Sequence, residues 1–165
     1  MSILRFFSWW LAWLSPGVTH LMYYRALEGQ WNGAANSVFD LDTDDIRVAI
    51  CTNTYTPNQD THDFFDDVTN EVSGTNYPNS TNNSLQSPVV SRSTNTITFD
   101  AADVVWLQSG AGFSNGRKFV LRKHNATAAN ARLYSVVTAD ADVGNVTGDL
   151  TLAWSGSGIA TWTTT

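Results

Sequence analysis

The sequence predicts an all-β protein: an antiparallel β-sandwich or jelly-roll-like domain of about eight strands, with a short N-terminal helix. Three observations predict it. Charged residues are only 15% of the chain, below the ~25% of ordinary soluble domains, and Thr, Ser and Asn replace them, as on sheet surfaces and in turns. From Leu85 onward, short apolar runs recur with turn residues at close intervals, the pattern of a sandwich or barrel. No alternating series of strand and helix patterns occurs, which disfavours a parallel α/β sheet.

The 165 residues predict one domain, and 42% hydrophobic content with seven Trp and eight Phe is enough for one core. Residues 1–21 read as an N-terminal aromatic extension or docking segment, and residues 22–165 as the β domain. In the first segment, the apolar run Ile3–Leu14 is too short for a membrane span, which needs ~20 residues. It resembles a signal peptide only faintly, because no small-residue cleavage site follows Pro16-Gly17. Phe6, Trp9, Trp10 and Trp13 recur at three- and four-residue spacing, the mark of an amphipathic docking helix. An upstream extension, with Met22 as the start, is the remaining reading. So many aromatics need a cover, from the same chain or another subunit.

Tyr23, Ala26, Leu27 and Trp31 lie at i, i+3, i+4 and i+8, so a short helix is expected between Met22 and Val38, with Gly33 as its stop. Its aromatic face should pack on a sheet edge or a neighbour. Ile46–Asn53 alternates strictly and places Ile46, Val48 and Ile50 on one strand face. Thr54–Asp60 is a loop. Phe64, Phe65 and Val68 are spaced for one helical turn, capped at Asp60 or Thr61. Ser73–Ser84 is a polar loop. Strands follow at Val89–Ser91, Asn95–Phe99, Val104–Leu107, Phe119–Arg122, Ala131–Thr138, Asp149–Trp154 and Ile159–Trp162.

The net charge of −6 and pI near 4.7 argue against a nucleic-acid backbone as partner, since phosphate binding needs clustered cations. Five of the nine basic residues nevertheless fall together: Arg117, Lys118, Arg122, Lys123 and Arg132. They read as a solvated strand face with its flanks. The alternative is a contact patch for an acidic surface, such as the Asp-rich stretch of a neighbouring copy. Nine of the fifteen acidic residues lie between Asp40 and Tyr77.

Cys51, the single cysteine, excludes an intrachain disulfide. It sits opposite Ile46 and Ile50 and reads as a small buried hydrophobe. His20, His62 and His124 form no local motif that would activate it. Asp40, Asp42 and Asp44 match the first positions of a calcium loop, but Asp45 stands where Gly is required and Cys51 where a bidentate Glu is required. They read as a solvated acidic turn, with a looser Ca²⁺ site as the weaker alternative. Asp60, His62, Asp63, Asp66 and Asp67 supply one imidazole and several carboxylates. A transition metal wants converging His ligands, and a glycosidase wants two carboxyls across a cleft; adjacency in sequence shows neither. The segment reads instead as a loop held by local side-chain to backbone bonds. Trp106 and Trp154 read as core, whereas Tyr55 and Tyr77, on loops, are the candidates for an exposed sugar-stacking surface, with Trp162 also in that aromatic set. The sequons at Asn79, Asn82, Asn125 and Asn145 matter only in a eukaryotic secretory setting.

The run DLDTDDIRVAICTNTYTPNQDTHDFFDDVTNEVSGTNY, followed by TITFDAADVVW, resembles a group of small tailed-bacteriophage structural proteins. Members combine an N-terminal helix, a "DTDxIRVAL…SYTPxxDTHDFFxDV…EVSGTGY" segment, a "DADDVVW" segment and C-terminal strands ending in an apolar "GI" strand. Met22–Val38, Asp42–Tyr77, Asp100–Trp106 and Asp149–Thr165 correspond. The chain departs after the acidic segment, where Asn76-Tyr77-Pro78-Asn79-Ser80 replaces Gly-Tyr-Thr-Ala-Gly-Gly. Residues 117–123 are more basic than the pattern, and residues 1–21 lie outside it.

The resemblance implies a non-enzymatic virion protein, with the phage head favoured over the tail. The expectation is a capsid decoration or cement protein. Its partners would be the major capsid protein or copies of itself, as a homo-oligomer or lattice-bound subunit. No catalytic residue, cofactor, metal, nucleic acid or membrane span is expected. The alternative is a tail-fibre or tail-tip β domain that binds a host glycan through Tyr55 and Tyr77. A hydrolase would need the Asp60–Asp67 carboxylates to converge in a cleft.

Overall fold

The computed structural model describes residues 5–7, 19–77 and 83–163. The strands are β1 (Arg5–Phe7), β2 (Thr19–Met22), β3 (Ile46–Cys51), β4 (Val89–Ser93), β5 (Thr96–Asp100), β6 (Val104–Trp106), β7 (Gly116–Lys123), β8 (Leu133–Val143), β9 (Leu150–Ala153) and β10 (Ala160–Thr163), with one helix, α1 (Tyr24–Asn32). They form three antiparallel sheets, in the orders β2-β8-β7-β3, β1-β9-β6 and β10-β5-β4. The chain is all-β and sandwich-like, as its composition and turn spacing predict.

The register of β3 against β7 pairs Val48 with Leu121 and Ile50 with Phe119. Paired residues share a face, so the alternation read in β3 builds one apolar face of the four-stranded sheet. The smaller sheets cover that face. Trp106 of β6 meets Phe119 with ring centroids 6.1 Å apart, and Phe99 of β5 meets Tyr134 of β8 edge-on at 5.9 Å. Each such aromatic pair adds ~1 kcal/mol beyond the area it buries.

The opposite face pairs Cys51 with Lys118, Ala49 with Val120 and Arg47 with Arg122. Here the chain departs from expectation. Lys118, Arg122 and Arg132 are buried, not arrayed on a solvated face. The reason is that the loop after β3 folds back over them. Phe65 stacks under the Arg122 guanidinium, whose carbon lies 3.8 Å from the ring centroid, and Phe64 sits 4.6 Å from that of Arg132. A sheet buried on both faces tolerates cations only where rings, carbonyls and carboxylates replace water.

Backbone groups on the outer edge of β3 are also satisfied. Val48 N–H donates to Asn83 O and Leu85 N–H to Ile46 O, while Val72 N–H donates to Ile50 O. That covering protects the edge from pairing with another chain. Three loops meet at Asn145, which is fully buried. Its Oδ1 accepts from Phe113 N–H at 3.0 Å, and its amide donates to Thr75 O at 3.2 Å and Leu107 O at 2.9 Å. The same geometry removes Asn145 from its sequon, since both amide protons are used. Gly112 makes room for it: a Cβ there would lie 2.0 Å from Asn145 Oδ1.

Other boundaries shift slightly or were not foreseen. The turn after Asp63 is a 3-10 turn at Phe65–Asp67. Its closure comes from Asp67, whose Oδ2 accepts from Asp63 N–H at 2.8 Å, rather than from Asp60 or Thr61, whose N–H groups donate to Asn58 Oδ1. Residues Arg5–Phe7 are a strand paired with β9, so a docking helix does not begin at Phe6. Trp9, Trp10, Trp13, Asn79 and Asn82 lie outside the described residues. Strand β2 crosses position 21 and pairs with β8, so a division at 21/22 falls inside a strand. Among the described residues, no helix is long and apolar enough to cross a membrane.

Two measurements test this packing. Asn145→Ala removes three hydrogen bonds made by a fully buried side chain and is expected to cost about 2 kcal/mol, read as a lower urea midpoint; an unchanged midpoint would refute the role given to Asn145. Burial lowers the pKa of His20, on β2, from its ordinary 6.5. The unfolded chain then binds a proton before the folded one does. Stability from this source is complete above pH 6.5 and falls as pH drops below it. His20→Leu should flatten that part of the pH profile, and an unaltered slope would contradict it.

Candidate functional site

The surface that stands out is an apolar groove beside α1. The helix follows from its sequence: Gly33 ends it in the left-handed region (φ 67°), and the Gly33 N–H donates to Gly29 O. At its other end, Tyr24 N–H donates to Gln59 O and Gln59 Nε2 donates to Met22 O. The loop after β3 therefore supplies the cap that the helix lacks in its own side chains.

Arg132, just before β8, fixes how the helix sits. Its Nη2 donates to Arg25 O at 2.7 Å and its Nη1 pairs with Asp63 Oδ2 at 3.2 Å. Gly29 permits the close approach: a Cβ there would lie 2.8 Å from Arg132 Nη2 and 2.3 Å from Ser37 Cβ. Gln30 then ties the following segment to the helix. Its Oε1 accepts from Phe39 N–H at 2.6 Å and its Nε2 donates to Phe39 O at 3.4 Å.

One wall of the resulting groove is Ala26, Leu27, Gln30 and Trp31 of α1, with Val38–Asp42 beside it. The other wall is Val90 of β4, Ile97 of β5 and Trp162 of β10, and Met22 and Tyr134 complete it. Its volume is about 730 Å³, within the ~300–1,000 Å³ of ordinary binding clefts. Trp31, expected to pack inward with the helical face, is 84% exposed at the groove's margin. The helix turns Ala26 and Gly29 inward instead; at Gly29, Arg132 and Ser37 leave no room for a larger side chain.

Asp40 and Asp42 lie at the groove. They share a hydrogen bond, which holds the Asp40 carboxyl below its ordinary range and pushes that of Asp42 above it. Asp44 takes a different part: it pairs with Lys123 Nζ at 2.8 Å, and its Oδ2 accepts from Asp40 N–H at 2.8 Å. Among the described residues, no group of three or more His, Cys, Asp or Glu side chains is placed to hold a metal.

The other residues singled out in the sequence are drawn into the loop that covers the four-stranded sheet. Tyr55 and Tyr77 are not exposed; they are 1% and 4% accessible. Tyr55 shares a hydrogen bond with the Tyr23 hydroxyl at 2.8 Å and lies 3.1 Å from His62 Nδ1. The Tyr77 hydroxyl accepts from Ile50 N–H at 2.7 Å and donates to Glu71 at 2.5 Å. Each ring is buried because its hydroxyl finds a partner inside, and neither is available to stack on a sugar. Trp106 and Trp154 are buried as expected.

Two of the carboxylates are similarly engaged: Asp63 pairs with Arg132 and Asp67 closes the 3-10 turn. Asp60 is held through its backbone, whose carbonyl accepts from Arg25 Nε; among the described residues, nothing brings Asp66 into a cleft with them. Cys51 is fully buried, and burial, with Glu71 nearby, pushes its thiol up to about 12. It is almost wholly protonated at neutral pH, so it is a poor nucleophile. Of the basic cluster, Arg117 pairs with Asp142, Lys123 with Asp44 and Arg132 with Asp63. Lys118 Nζ donates to the backbone and side-chain oxygens of Asn53. The acidic partner of this patch is largely the chain itself.

The groove's wall depends on Arg132. Arg132→Ala is expected to destabilise the protein by about 3 kcal/mol, measured by chemical unfolding. Arg132→Lys should recover less than half of that, because an ammonium cannot bridge Asp63 and the Arg25 carbonyl as a planar fork does. Full recovery with lysine would sink this account. Comparison of the chain with protein-family models, curated proteins and solved structures finds no match.

Proposed function

We propose that the chain is a non-enzymatic virion structural protein, a capsid decoration or cement protein that reinforces a phage head. The observation that carries this reading is the open apolar groove with Trp31 at its margin. An exposed tryptophan beside an apolar cleft is the anatomy of an interface hot spot. The resemblance of Asp42–Tyr77 and Asp100–Trp106 to phage structural proteins supplies the setting.

Chemistry within the loop points the same way. The carboxylates at Asp63 and Asp67 are engaged in holding the fold, and the one thiol is buried and protonated. The mechanism is then mechanical. The domain seats against the major capsid protein, or against copies of itself, across subunit joints. Burial of apolar surface there opposes the outward pressure on the shell. An interface of about 1,600 Å² is ordinary for a stable contact, and repetition over a lattice multiplies its effect. A glycan-binding tail domain has less support, since Tyr55 and Tyr77 are interior.

The test is mass spectrometry and cryo-electron microscopy of purified particles that encode this chain. The expected result is many copies per particle, with density for the β domain repeated over the head lattice. Density confined to the tail, or absence of the chain from particles, would refute the decoration role.

A further inference from the structure

We infer that the groove between α1 and the β4-β5-β10 sheet takes a short peptide segment of a partner protein. The segment would bury an aromatic or aliphatic side chain beside Trp31 and Trp162, and set a lysine or arginine against Asp40 and Asp42. This rests on the docking role proposed above and specifies the chemistry of what docks.

The walls set the first requirement. Leu27, Trp31, Val90, Ile97 and Trp162 present apolar surface from α1 and from the β10-β5-β4 sheet, which are distant in sequence. Val90, Ile97 and Trp31 are exposed to solvent, so an apolar occupant gains by removing them from water. The volume of about 730 Å³ admits a few side chains rather than a folded domain.

The rim sets the second requirement. Asp44 and Asp45 have cations of their own, in Lys123 and Arg47. Among the described residues, no Lys or Arg forms an ion pair with Asp40 or Asp42, although Lys123, paired with Asp44, also favours the charged form of Asp40. A cation on the occupant would give the exposed Asp42 and Asp40 a close partner. An anionic lipid head or a nucleic acid would add negative charge beside them. A second copy meeting the groove about a two-fold axis would bring a second acidic rim to the contact.

The experiment uses the full chain and two fluorescein-labelled ten-residue peptides, read by anisotropy. Both carry Phe and Leu anchors; one is flanked by lysines and the other by glutamates. The lysine peptide is expected to bind at least about tenfold more tightly. Trp31→Ala, at an exposed site, should weaken it about tenfold. The Asp40→Asn, Asp42→Asn double variant should narrow the gap between the peptides. Equal binding of both peptides, no binding of either at millimolar concentration, or indifference to Trp31→Ala would each overturn the inference. So would a dimer seen by light scattering that Trp31→Ala dissolves, which would make the occupant a second copy. Particles distinguish the two readings: if Trp31→Ala leaves incorporation unchanged, the groove assignment fails alone. If the chain is absent from particles yet binds the lysine peptide, the virion reading fails alone.

Discussion

The Arg132 guanidinium is the constraint on which the arrangement turns. A buried cation is tolerated only with close partners, and Arg132 finds them in two separate parts of the chain and ties both to β8. Asp63 and Phe64 come from the loop after β3, the Arg25 carbonyl from α1, and Arg132 itself leads into β8. Satisfying one side chain therefore fixes the position of the helix and the path of the covering loop together. Gly29 is the steric condition for that contact, since any side chain there would strike Arg132 and Ser37.

The covering loop is what makes the four-stranded sheet a middle layer. One face of that sheet meets the smaller sheets through Phe119 and Tyr134. The other carries Lys118, Arg122, Val120 and Cys51, and a loop rich in acids and aromatics closes over it. Polar groups in this layer are used within it: Tyr55 with Tyr23 and His62, Tyr77 with Ile50 and Glu71, Lys118 with Asn53. That engagement removes from solvent the side chains that looked most chemically capable. The loop also helps to position the groove, because Gln59 and Asp60 hold the start of α1.

The groove illustrates how a site arises from elements that carry no motif. Trp31 lies outward on α1, whose inward positions are Ala26 and Gly29, the latter against Arg132. Val90, Ile97 and Trp162 are brought opposite it because β4, β5 and β10 pair so that these residues lie on one face: Arg92 with Ile97, Ile97 with Trp162, and Val90 with Phe99. Exposed apolar surface on both walls is a cost to the free protein, which is why the groove is the surface proposed for docking.

The sequence by itself determined the local order. Alternation in β3, the spacing of Tyr23, Ala26 and Leu27 with Gly33 behind them, and the turn-punctuated runs after Leu85 name the helix and eight of the strands, because those periods are written in neighbouring residues. Strands β1 and β2 were illegible, since Arg5–Phe7 and Thr19–Met22 are short and owe their state to pairing with β9 and β8. The tertiary structure alone decided the rest: that Tyr55 and Tyr77 turn inward, that Lys118 and Arg122 of the basic strand are buried against Asn53 and Phe65, and that Trp31 and Trp162 line one groove. Burial of an aromatic or a cation depends on partners tens of residues away, and no local pattern encodes whether a hydroxyl or a guanidinium will find one.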